Sequence, residues 1–297
     1  MSETILLPKP AGRGTHPYAR TPDGIPECSY FVHRPQGEHD RSRLLVAVHG
    51  ITRNALEHAM VFRRWSERLG VAVVAPLFPR AGYRRYQTLE GRRGIPAADE
   101  AFDRIVEDAC RHLGMDAPAL HLFGYSGGGQ FAHRYAFRHP RAVSRMVVGA
   151  AGWYTFPDDD LAYPLGLGAR GATSAFAHAD VVARYPPTLV VVGSHDRMRD
   201  ESLNQDPDID LRQGLHRRAR ARRWVDAMAG AARRAGCASP CRLHVLRGAS
   251  HAFGPSVRSH ALDRIVVGFL FPDADLGAGD APCAEDALLP RSPGASK

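Results

Sequence analysis

Short, unbroken apolar runs recur along this chain with longer helix-patterned segments between them, and that alternation constrains the fold more than any other feature. The runs are SYFVH (29–33), LLVAVHG (44–50), VAVVAPL (71–77), LHLFGYS (120–126), RMVVGAA (145–151), TLVVVGS (188–194) and RLHVLRG (242–248). Most are continuous instead of alternating, as strands covered on both faces should be. The first suits an antiparallel edge. Between the runs, Asn54 opens a helix carrying Met60, Phe62, Trp65 and Leu69, and Gly70 closes it. Pro96 opens a second, with Phe102, Ile105, Val106, Ala109 and Leu113, closed by Gly114. A third, QFAHRYAFRH, stops at Pro140; a long one is expected over roughly 213–235 and a last one near 257–271. Strands alternating with helices build βαβ units with right-handed crossovers. The expected fold class is α/β, a mostly parallel, doubly wound sheet flanked by helices.

One such domain over residues 28–272 accounts for the 297 residues better than two. Residues 1–27 read as an N-terminal extension and 273–297 as a loose tail rich in Gly, Ala and Pro. Residues 153–186 break the rhythm with Gly, Pro and aromatic residues. They read as a small lid or cap insertion over the carboxyl ends of the strands, where open α/β sheets bind ligands. Residues 200–236 read as a helical insertion.

Several classes of function are disfavoured. No window approaches eighteen uninterrupted apolar residues, so no membrane span is expected. The start, MSETILLPKPAGRG, has no basic segment followed by an apolar one, which points to the cytoplasm. The five cysteines, Cys28, Cys110, Cys237, Cys241 and Cys283, include no Cys-x-x-Cys pair and read as free thiols. The net charge of +8 raises a nucleic-acid partner. The arginines, however, spread along the whole chain, and no nucleic-acid module is present. The densest cluster, LRQGLHRRARARRWVDAM, reads as the solvated face of a helix that buries Trp224, Val225 and Met228.

The stretch LHLFGYSGGGQFAHRYAFRHP sets one serine among four glycines where a strand must turn into a helix. Gly124-Tyr125-Ser126-Gly127-Gly128 matches G-x-S-x-G, whose serine occupies a strained backbone conformation that lifts its hydroxyl above the sheet edge. The Gly127 N–H is then left free where an oxyanion would form. Such a turn demands an acid after a later strand and a histidine after the last one. Asp196 in TLVVVGSHDRM and His251 in LHVLRGASHAF meet that order. Asp200 and Asp206 compete for the acid, and His133, two turns into the helix after Ser126, suits a structural part better. A second oxyanion donor is expected in VAVHGITRN, at the Ile51 N–H with Thr52 as fallback.

On the motifs HGITRNA, GYSGGGQFAHRYAFRHP, GWYTFP, VVGSHD and GASHAF, with QGLHRRARARRWVDA, the chain resembles the α/β-hydrolase superfamily over roughly residues 28–271. In particular it is similar to bacterial serine esterases of the polyhydroxybutyrate-depolymerase-like kind. The resemblance implies a catalytic triad of Ser126, Asp196 and His251. The 55 residues from Asp196 to His251 exceed the gap in compact members, and the 200–236 insertion accounts for the excess.

The expected chemistry is cleavage of a carboxylic ester through an acyl-enzyme, with no metal and no organic cofactor. Thioesterase, peptidase, and a non-catalytic ligand-binding protein on the same fold are the alternatives. Trp153, Tyr154, Phe156 and Tyr163 either line an apolar acyl pocket or anchor the insertion to the sheet, and Trp153, Tyr154 and Tyr125 are the candidate contacts for a small acyl substrate. The arginines of loop 79–94, Arg80, Arg84, Arg85, Arg92 and Arg93, read first as solvated and second as a site for an anionic substrate. The sequence leaves a homodimer open.

Overall fold

The computed structural model describes residues 16–25, 27–91, 94–168 and 181–277. Eight strands form one sheet in the order β1-β2-β4-β3-β5-β6-β7-β8. They are β1 (Tyr18–Arg20), β2 (Ser29–His33), β3 (Asp40–Val48), β4 (Val71–Leu77), β5 (Ala119–Tyr125), β6 (Val143–Gly149), β7 (Thr188–Gly193) and β8 (Cys241–Leu246). β1 and β2 pair antiparallel, and every pairing from β4 to β8 is parallel. The helices are α1 (Ala55–Leu69), α2 (Ala98–Leu113), α3 (Gly127–Arg138), α4 (Pro207–Gln213), α5 (Arg217–Arg234), α6 (Phe253–His260) and α7 (Leu262–Leu270).

The continuous apolar runs are explained by helices on both faces. Successive strand side chains point to opposite sides, and the core divides accordingly. Leu44, Val46 and Val48 of β3 join Phe102, Phe131, Trp224 and Met228 from α2, α3 and α5. Leu45 and Ala47 face the other way, against Phe62, Trp65, Leu262 and Val266 from α1 and α7. Fully burying each such side chain contributes roughly 1.5–3 kcal/mol.

The structure departs from the sequence expectation in four places. Strand β1 lies within the stretch set apart as an N-terminal extension, where Ile25 is also buried. Three residues are too short for a period to register. The helix expected over 213–235 is α5, which starts a little later and is preceded by the separate α4, because Gly214 turns the chain at φ 103° and His216 starts α5 by accepting the Ala219 N–H. The last helix is divided, at Ala261 with φ 51°. The arginine cluster is not simply a solvated face, since Arg217 and Arg220 are fully buried. The expected lid falls partly on 169–180, and much of the expected extension and tail on 1–15 and 278–297, outside the described residues. Arg92, Arg93 and Cys283 lie outside them too; Cys28, Cys110, Cys237 and Cys241 are unpaired. No described helix is long and apolar enough to cross a membrane.

Two features of the core make measurable predictions. Trp224 is fully buried, stacks on Tyr154 at 5.0 Å and donates its indole N–H to the Thr155 carbonyl at 2.7 Å. Trp224→Ala should cost about 3–5 kcal/mol, read as a lowered urea midpoint. Three buried histidines are held neutral by desolvation: His49 is pushed down to about 3, His58 to about 4, and His133 well below its ordinary 6.5. Below pH 6.5 the unfolded chain takes up protons that these rings refuse in the folded state. Stability should therefore fall as pH drops from 6.5 towards 4, by about 1.4 kcal/mol per pH unit for each histidine. His58→Phe, which keeps a ring against Phe253, should flatten that dependence in urea titrations at pH 7.5 and 5.5.

Candidate active site

Ser126 stands between β5 and α3 with φ 54° and ψ −112°, a conformation side chains rarely adopt. Two contacts impose it. A Cβ on Gly124 would lie 2.1 Å from the Gly128 carbonyl oxygen, and one on Gly128 would lie 2.1 Å from that of Val48. Only glycines let the helix start so close to the ends of β5 and β3. The Ser126 N–H is tied to the Gly149 carbonyl at 2.8 Å, which anchors the turn to β6.

The structure brings the three expected residues together. His251, in the loop after β8, places Nε2 3.1 Å from Ser126 Oγ and Nδ1 2.8 Å from Asp196 Oδ2. Asp196, in the loop after β7, is buried, while the His251 side chain keeps 24% of its surface open. Tyr125 donates its hydroxyl to the His251 carbonyl at 3.1 Å and packs on Phe253. It therefore touches the histidine loop. The competing acids are engaged elsewhere: Asp200 accepts from Ser202, and Asp206 caps α4 by accepting the Asp208 N–H. His133 has a structural part. Its Nε2 accepts the Thr155 N–H at 2.9 Å, so Nδ1 carries the proton and donates to the Gly129 carbonyl at 2.9 Å.

The loop after β3 lies against the same turn. A Cβ on Gly127 would be 3.2 Å from the Ile51 backbone nitrogen, so the two N–H groups are neighbours. Neither has an acceptor among the described residues. Gly127 is the first residue of α3, whose initial N–H groups have no partner within the helix. The Thr52 hydroxyl donates to Asn54.

Two side chains to which sequence reasoning gave no part, those of His49 and Arg53, shape this loop. His49 accepts the Phe78 N–H at Nε2 and so donates Nδ1–H to the Gly50 carbonyl. Arg53, at φ 61°, donates to the carbonyls of Ile51, Phe78 and Tyr83, fixing the Ile51 peptide. The two side chains flank Gly50-Ile51-Thr52 in sequence, the one signal that could have marked them.

The other candidates separate. Trp153 retains slight exposure beneath the Arg134 guanidinium, 4.1 Å from its ring centre. Tyr154 is fully buried against Trp224 and His133 and belongs to the core. Tyr163 anchors the insertion by donating to the Thr88 carbonyl at 2.5 Å. Arg80 reaches the Ile51 carbonyl at 3.4 Å, and Arg85 pairs with Glu90. From α5, Arg220 clamps the loop after β6 by donating to the Gly152 carbonyl at 2.6 Å, and also bonds Gly214, Asn204 and Asp210. Among the described residues no group of three or more His, Cys, Asp or Glu is placed to hold a metal.

Neither a protein-family model nor a curated protein matches the chain. Solved structures do. A poly(3-hydroxybutyrate) depolymerase from Bordetella parapertussis superposes with a TM-score of 0.69 at 26% identity, covering 84% of this chain and 88% of its own. Poly(aspartic acid) hydrolase-1 from Sphingomonas sp. KT-1 gives 0.70 at 23% identity over 83% of this chain and 97% of its own. An S-formylglutathione hydrolase from Agrobacterium tumefaciens gives 0.58 at 15% identity, over 86% and 94%. With its mostly parallel eight-stranded sheet and its serine turn between β5 and α3, the chain has the α/β-hydrolase fold and belongs to that superfamily.

Proposed function

We propose that this chain is a serine hydrolase that cleaves carboxylic esters through an acyl-enzyme on Ser126. The observation that carries the reading is the unbroken series of hydrogen bonds from Ser126 Oγ through His251 to the buried Asp196. The likeness to a depolymerase at 26% identity supports hydrolysis as the reaction class. Ser126 Oγ attacks the ester carbonyl carbon while His251 Nε2 takes the hydroxyl proton. Asp196 holds Nδ1–H, which keeps the attacking tautomer and stabilises the imidazolium. The Ile51 and Gly127 N–H groups receive the oxyanion, and each such donor typically contributes on the order of 10²–10³ in turnover. Collapse of the tetrahedral adduct breaks the ester C–O bond, and His251 returns the proton to the departing alcohol. Water, deprotonated by His251, then releases the acid and restores Ser126.

Trp153 is the substrate contact we retain. Tyr125 acts by holding the histidine loop, and Tyr154, being part of the core, does not meet substrate.

The test is intact mass after exposure to a fluorophosphonate, with wild type and Ser126→Ala side by side. Wild type should gain one phosphonyl group with loss of fluoride, and the variant none. Turnover of p-nitrophenyl acetate should fall on the order of 10⁴–10⁶-fold in the variant. A folded wild type that takes up no phosphonate sinks the reading in favour of a ligand-binding protein. Faster cleavage of the matched acetyl thioester or anilide reassigns the leaving group.

A further inference from the structure

Arg217 is a buried cation inside a stretch of sequence that looks like a solvated arginine run. Its place on α5 explains the burial. Arg217, Arg220, Ala221, Trp224 and Met228 follow one helical stripe, and all five are buried. Trp224 and Met228 fill the core, so the same face carries the two arginines towards the loops at the carboxyl edge of the sheet. There Arg217 Nη1 lies 3.4 Å from Asp196 Oδ1, the carboxylate oxygen that His251 does not use. Both side chains are 1% exposed. On its outer edge, Nη2 donates to Ser202 Oγ at 2.7 Å and lies 3.6 Å from Asp200 Oδ1. Ser202 in turn donates to Asp200 at 2.5 Å. A continuous polar series thus runs from Asp200 at the surface through Ser202, Arg217, Asp196 and His251 to Ser126.

We propose that Arg217 is a positioning residue of the hydrolytic site: it holds Asp196 in register with His251 and moderates the negative charge that Asp196 presents to the imidazole. The proposal rests on the reading of Ser126, His251 and Asp196 as a triad. A buried carboxylate with one oxygen unpaired is costly and free to turn, and the guanidinium removes both problems. The same guanidinium offsets part of the negative charge of Asp196 from the side away from His251. The other titratable groups that act on the pair include Arg220 on α5, His216 at its start, Asp200 in the acid loop, Tyr125 on β5 and Tyr154 after β6. None of them is altered in the variants below.

The experiment compares wild type, Arg217→Met, Arg217→Lys and Ser202→Ala, each checked for folding by thermal denaturation. Two readouts are taken from pH 5 to 9: kcat and KM for p-nitrophenyl acetate, and the rate of fluorophosphonate uptake. In Arg217→Met the acid limb of kcat/KM and of the uptake rate should move up by roughly half a pH unit or more. At the plateau kcat should fall about tenfold or more, with KM within about threefold of wild type. Arg217→Lys, which keeps the charge, should return the limb to near the wild-type position. Ser202→Ala, which loosens the outer edge only, should shift it in the same direction by less.

A folded Arg217→Met with the limb at the wild-type pH overturns the proposal, as does equal displacement in the Lys and Met variants. If Arg217→Met does not fold, Ser202→Ala decides: a moved limb supports the proposal and an unmoved one overturns it. A wild type that neither hydrolyses the ester nor takes up phosphonate defeats the triad reading, and this proposal falls with it. Active wild type with unmoved variants defeats the proposal alone.

Discussion

The site depends on how closely the start of α3 approaches the ends of β3 and β5. The carbonyl oxygens of Val48 and Gly128 occupy the space where Cβ atoms of Gly128 and Gly124 would stand. That contact drives Ser126 to positive φ, and the strain is borne by packing on every side. Its consequences reach past the serine. The same approach sets Gly127 beside Ile51, and neither backbone N–H has an acceptor among the described residues. A methyl group at either glycine would push apart Ser126, the strand ends and the Gly127–Ile51 contact together.

Around this turn the protein uses two opposite treatments of buried ionisable groups. His49, His58 and His133 are stripped of water and kept neutral, and His49 and His133 serve as rigid hydrogen-bond spacers between backbone segments. The arginines stay charged and spread their donors over carbonyls: Arg53 over the Ile51 loop, Arg134 over the loop before α2, Arg220 over the loop after β6. Arginine suits this work because its planar fork holds several acceptors at once. These cations brace the scaffold mainly through backbone oxygen, whereas Arg217 turns to Asp196, at the oxygen that the imidazole does not use.

Much of this was legible in the sequence because the strands are buried on both faces and the serine turn has a steric requirement that only glycine meets. The order of Ser126, Asp196 and His251 followed from those two facts. Strand β1 was missed because three residues carry no periodicity, and it is held by pairing with β2 instead. The later start of α5 could have been read from Gly214, but an isolated glycine within a helical pattern does not by itself stop a helix. The burial of Arg217 and Arg220 was the larger omission. An arginine run has the same composition whether it snorkels to solvent or turns inward. The discriminating signal was phase: Arg217 and Arg220 share the stripe of Trp224 and Met228, and a stripe that buries a tryptophan carries its neighbours in with it.

The three side chains joined by hydrogen bonds at Ser126 are far apart along the chain. His251 lies 125 residues beyond Ser126 and 55 beyond Asp196. Synthesis proceeds from the amino end, so the glycine turn and its hydroxyl emerge long before the imidazole that comes to lie 3.1 Å from that hydroxyl. Only when β8 has paired with β7 can the loop that follows swing His251 back to the serine. Any chain ended before that point carries a serine hydroxyl with no imidazole beside it. The hydrogen-bonded series from Ser126 to Asp196 is completed last, by closure of the far edge of the sheet.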